Sequence, residues 1–167
     1  MPHLFSRRRM IVAGGAAAVA APLAGRTALA ASPQAGTLVT LLTPVRVFDS
    51  RDASSVLGGV KFEAGDNVAV NVSAGFDGVD FALAVFANVT ITETEGAGFL
   101  TVWGADESGT LTPPETSNVN WAAEGLTLAN LALTTVGNEN SIEIRCGGAG
   151  RAHVIVDIQG YVPFEPT

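Results

Sequence analysis

From residue 38 onward, apolar side chains recur at every second position, the spacing of a half-buried strand. Residues 81–92 read FALAVFANVTIT, 127–136 TLANLALTTV, 141–146 SIEIRC and 153–158 HVIVDI. Shorter β-rich pieces lie at 38–42, 45–48, 68–72, 99–103 and 117–121. Turn-forming residues separate them, among them Gly58-Gly59, Ala64-Gly65, Glu95-Gly96-Ala97-Gly98, Pro113-Pro114 and Gly147-Gly148. No ten-residue window carries a capped apolar stripe at helical spacing, and no repeat of 20–50 residues is visible, which argues against solenoids and propellers. The pattern predicts an all-β domain over residues 37–164: a β-sandwich or jelly-roll-like barrel of eight to nine short antiparallel strands. The apolar fraction of 47%, against 15% charged, supplies the core and excludes a disordered chain.

Residues 1–30 follow a different pattern. They hold four of the nine basic residues and none of the sixteen acids. Ser6-Arg7-Arg8-Arg9-Met10-Ile11 has the twin-arginine arrangement, a weakly apolar Ala/Gly-rich run follows, and Ala28 and Ala30 provide the small residues of a cleavage site. Gly14, Gly15 and Pro22 interrupt the run, which falls short of the ~20 strongly apolar residues of a membrane span. The segment reads as a cleavable twin-arginine (Tat) leader carrying a folded protein to the outside. Residues 31–36 form a linker. No transmembrane anchor is expected in the mature form.

Removal of the leader leaves 137 of the 167 residues, with five basic and sixteen acidic side chains and a net charge of −11. Nucleic acid is an unsuitable partner for such a chain, because phosphate binding needs a basic face. Cys146 is the lone cysteine, so no internal disulfide is available; it reads as a small buried apolar residue.

Several residues invite two readings. Asp49-Ser50-Arg51-Asp52 is either a ligand or calcium turn, or a local cap in which Asp49 holds backbone amides and Arg51 pairs with a carboxylate; the cap is preferred. In 153–158, period two sets Val154, Val156 and Ile158 on one face and His153, Ile155 and Asp157 on the other. An acid at 157 calls for a partner, Arg46 or Arg51, which would tie the first and last strands together. Asn71, Asn88, Asn118, Asn120 and Asn130 fall in strand-like segments, either to satisfy backbone groups at bulges or to line a groove for sugar hydroxyls. Trp103 and Trp121 flank the acidic stretch 104–116, which reads as a loop at one end of the sandwich. Core packing competes with sugar stacking for both rings. No carboxylate pair carries a glycosidase signature, no Cys/His cluster forms a zinc site, and no phosphate loop or nucleophile elbow is present. The expectation is therefore a non-catalytic chain without cofactor or metal.

Segments spread over residues 43–162 are similar, in order, to a secreted β-domain common in actinobacterial cell-surface and exported proteins. They include TPVRVFDSR (43–51), AVFANVT (84–90), GFLTVW (98–103), SNVN (117–120), ANL (129–131) and HVIVDIQGY (153–161). The family pattern is TP-x-R-hydrophobic-x-DTR, LNVT, GFLTVYP, SNLN, ANL and VIVDVQGYF. Two departures stand out: Ser50 replaces the usual Thr, and an acidic insertion follows Trp103 where the family has Pro. The resemblance implies a non-catalytic module, found alone or attached to cell-wall enzymes, for surface association or carbohydrate binding.

These readings converge on an exported module binding cell-surface or cell-wall glycan through Trp103, Asp106, Asn118, Asn120 and Trp121. The partner is a wall polysaccharide or a surface protein. An assembly subunit that self-associates through sheet edges is the alternative, and a small secreted hydrolase ranks last.

Overall fold

The computed structural model describes residues 38–75, 82–104 and 112–164. Eight strands build two four-stranded antiparallel sheets. They are β1 (Thr40–Asp49), β2 (Asn67–Asn71), β3 (Ala82–Glu95), β4 (Gly98–Gly104), β5 (Val119–Trp121), β6 (Leu128–Thr135), β7 (Ser141–Gly148) and β8 (Arg151–Pro163). One sheet has the order β1-β8-β3-β6, the other β2-β7-β4-β5. Apart from β4 and β5, which pair within one sheet, successive strands cross between the sheets in the double Greek-key order of a jelly roll, with open edges rather than a closed barrel. The pieces at 38–42 and 45–48 merge into one strand, because bulges between Leu41 and Val45 and between Arg46 and Phe48 absorb the break in alternation.

Period two sorts the side chains as the core requires. On β3, Val85, Ala87, Val89 and Ile91 point inward; on β8, Val154, Val156 and Ile158; on β7, Ile142, Ile144 and Cys146; on β4, Leu100 and Val102. At ~25 cal/mol per Å2 of apolar surface, each of these larger side chains stabilises the fold by ~1.5–3 kcal/mol. A one-residue slip of any strand would move its whole set to the wrong face.

Two sharp corners carry the chain from sheet to sheet at one end, β3 into β4 and β7 into β8. They stack on each other: the Ala97 carbonyl accepts the amides of Ala149 (3.1 Å) and Gly150 (2.7 Å). A Cβ at Gly150 would overlap the Glu95 carbonyl, so only glycine permits this approach. Glu95 closes the same corner by binding Lys61 and Arg151.

Candidate functional site

The outer face of the β2-β7-β4-β5 sheet is set by the same alternation. With Leu100 and Val102 inward, Phe99, Thr101 and Trp103 face out from β4; Glu143, Arg145 and Gly147 face out from β7, and Asn120 from β5. The register aligns Phe99 with Gly147 on one side and Asn120 on the other, and aligns Thr101 with Arg145. The Phe99 ring lies over Gly147, where a Cβ would overlap it, and remains 38% exposed. Glycine opposite an aromatic thus turns a strand position into a flat apolar platform.

The chain that returns from β4 toward β5 forms a wall beside this platform. The Thr101 hydroxyl donates to the Thr116 carbonyl (2.7 Å), and the Asn118 amide N–H donates to the Leu100 carbonyl (2.8 Å). A groove of about 700 Å3 opens between wall and sheet, reaching the Ala64-Gly65 turn. Its polar lining includes Arg145, Glu115, Ser117 and Asn120. Asn120 donates from Nδ2 to Ser117 Oγ (2.9 Å), which fixes the amide and leaves Oδ1 as an acceptor. Arg145 is exposed and has no side-chain partner among the described residues. The groove thus sets an apolar ring face beside a cation, an acceptor amide and a hydroxyl, groups able to pack C–H surface and to hydrogen-bond hydroxyls.

The sequence-derived site divides on this geometry. Asn120 lines the groove. Trp121 belongs mainly to the core: its indole lies on Gly98, whose missing Cβ makes the room, and only its edge meets a shallow hollow beside Phe99 and Asn120. Asn118 is occupied structurally, with Oδ1 accepting the Val102 amide (2.8 Å) and its carbonyl accepting Asn130 Nδ2 (2.7 Å). Trp103 faces out from the same strand as Phe99 but is buried, with Nε1 unpartnered among the described residues, so it presents no open face for stacking. Asp106 lies outside the described residues, as do Arg7, Arg8, Ala28 and Ala30. Sequence reasoning missed Phe99 and Arg145. Both sit in alternating segments, but their meeting depends on the β4–β7 pairing, which no local signal discloses.

On the outer face of the other sheet, Arg46 lies opposite Asp157 in the β1–β8 register. Its Nε and Nη2 donate to the two carboxylate oxygens at 2.9 and 3.3 Å, and Nη1 reaches Asp49 at 3.4 Å. Arg51 clamps Asp49 in turn, with Nε at 2.9 Å and Nη2 at 2.6 Å. The Arg51 guanidinium and backbone amide hold the Asp49 carboxyl down to about 2, against the partial burial that opposes it. The cluster uses its charges on one another and joins the first strand to the last. Among the described residues no group of three or more His, Cys, Asp or Glu is arranged for a metal.

Beside it, the fully buried Ser50 Oγ accepts the Val154 amide (2.8 Å) and lies 3.0 Å from His153 Nδ1. Which of the two atoms donates depends on the His153 tautomer. The enclosed hydroxyl, with the Ser50 amide donating to the Val154 carbonyl, ties the turn after β1 to β8. Burial lowers the His153 pKa. Cys146 is buried in the core, and burial, with Asp66 and Glu63 adding to it, pushes its thiol up to about 11.

No known protein-family description and no curated protein sequence matches this chain.

Proposed function

We propose that the chain is an exported, non-catalytic module that binds cell-surface or cell-wall glycan in the groove across Phe99, Asn120 and Arg145. The observation that carries the reading is the Phe99 ring, held flat over Gly147 on an outer sheet face and edged by Asn120, Ser117 and Arg145. The twin-arginine leader and the likeness to exported actinobacterial β-domains point to the same setting. A sugar ring stacked on Phe99 brings its equatorial hydroxyls toward the Asn120 acceptor and the Arg145 donors. A single platform of this kind gives weak binding per site, with Kd on the order of 0.1–1 mM. Avidity along a repeating polymer raises it.

Calorimetric titration of the processed protein with solubilised cell-wall polysaccharide and peptidoglycan fragments tests the proposal. Saturable binding that Asn120→Ala and Arg145→Ala each weaken supports it. Heats indistinguishable from dilution for every wall fraction refute it. Turnover of model glycosides would instead return the chain to the hydrolases.

A further inference from the structure

A two-sheet sandwich has four edge strands, and each unpaired edge is a template for another strand. Three of them are blunted here. β1 carries Pro44 and Arg46 and is interrupted by two register shifts. β2 has five residues and β5 three. β6 has none of these devices. It runs for eight residues, and residues 125–138 contain neither a charge nor a proline. Its pairing with β3 is unbroken from Ala84↔Thr135 to Ile91↔Leu128, without a bulge.

The backbone parity of β6 follows from its end. The Val136 amide donates to the Leu83 carbonyl, so even-numbered residues bond toward β3. The N–H and C=O groups of Ala129, Leu131, Leu133 and Thr135 therefore point away from β3; Gly104 packs against the Thr135 carbonyl, and the stretch from Ala129 to Leu133 is the free part of the edge. Among the described residues no backbone group hydrogen-bonds them there. Their side chains face outward from the sheet, with Leu131 51% and Leu133 62% exposed. Ala132 turns inward and is buried.

We infer that β6 pairs antiparallel with β6 of a second copy of this chain, joining two β1-β8-β3-β6 sheets into one eight-stranded sheet. Self-complementarity selects the occupant. The chain carries net charge −7, so copies repel wherever acidic surfaces meet, and this edge brings two uncharged segments together. An antiparallel strand is also its own complement across a two-fold axis. An axis at Ala132 sets Leu131 opposite the partner copy's Leu133, twice over, and places the two small Ala132 side chains at the close non-hydrogen-bonded pair. This goes beyond the glycan groove, which lies on the other sheet. A two-fold assembly would present two grooves to one polymer.

Light scattering on size-exclusion fractions of the full chain, over a concentration series reaching about 100 µM, reads the association. Wild type is expected as a dimer, and the double substitution Leu131→Lys with Leu133→Lys as a monomer with an unchanged circular dichroism spectrum. Hydrogen exchange on the wild type alone keeps the test decisive if that variant misfolds: the amides of Ala129, Leu131 and Leu133 should become protected as concentration rises. Three results overturn the inference. One is a wild-type monomer throughout the series. Another is a dimer that survives the lysines. The third is protection of these amides independent of concentration, which would mean that another part of the same chain covers the edge.

Discussion

Breaking the bridge between β1 and β8 should cost more from one side than from the other. Arg46 and Asp157 meet through two hydrogen bonds at 2.9 and 3.3 Å, with side-chain exposures of 51% and 19%. Two unit charges ~4 Å apart at an effective dielectric of ~20 attract by about 4 kcal/mol. Immobilising the arginine takes back ~2 kcal/mol of rotamer freedom, and withdrawing Asp157 from water takes back about 1 more. A coupling of about 1 kcal/mol remains, at the upper end for an exposed pair because the contact is bidentate and one partner is sheltered. Asp157→Ala leaves Arg46 free to turn to water and Asp49, so it should cost about 1 kcal/mol. Arg46→Ala leaves a sheltered carboxylate without its cation and should cost about 2 kcal/mol. Urea unfolding of wild type, both single variants and the double variant gives the cycle directly. A coupling below about 0.3 kcal/mol, or Asp157→Ala costing more than Arg46→Ala, would refute the reasoning.

Acid should destabilise the fold in two stages. The His153 pKa is lower in the folded chain than its ordinary 6.5, so the unfolded chain binds the proton first; that contribution is full above 6.5 and falls as pH drops below it. Asp49 titrates at about 2 folded against 3.8 unfolded, so its contribution is full above 3.8 and is lost between 3.8 and about 2. Melting temperature against pH should show both descents, and Asp49→Asn should flatten the second; an unaltered acid limb in that variant counts against the Arg51 clamp. The two aromatic-bearing glycines should separate stability from binding. Gly98→Ala pushes a methyl into the Trp121 indole in the core and should cost about 2–3 kcal/mol in denaturant unfolding. Gly147→Ala displaces the exposed Phe99 ring instead, and should lower the melting temperature little while weakening glycan binding severalfold; equal stability losses from the two would contradict the placement of these rings.

Much of the fold is local information. Alternation in HVIVDI is enough to put Val154, Val156 and Ile158 inward on β8, and to leave Asp157 on the other face in search of a cation. The two pieces around Pro44 read as separate strands because a bulge, in sequence, looks like a break. The site was less legible, for a physical reason. Trp121 and Phe99 are both aromatic residues in short β segments, and what separates core from platform is the glycine opposite each. Gly98 lies across from Trp121 on the inner face, and Gly147 across from Phe99 on the outer. That pairing joins residues nearly fifty positions apart in the second case and is set by register. The asparagines divide likewise: Asn118, just before β5, is consumed by the Val102 amide, whereas Asn120 within β5 bonds Ser117 and lines the groove.

The most direct test of the glycan reading is a residue-resolved NMR titration of the isotope-labelled protein with solubilised wall polysaccharide. Saturable shift changes should gather at Phe99, Ser117, Asn120 and Arg145, with the Arg46–Asp157 face silent. Shifts confined to that opposite face, or a spectrum unmoved at millimolar saccharide, would contradict it.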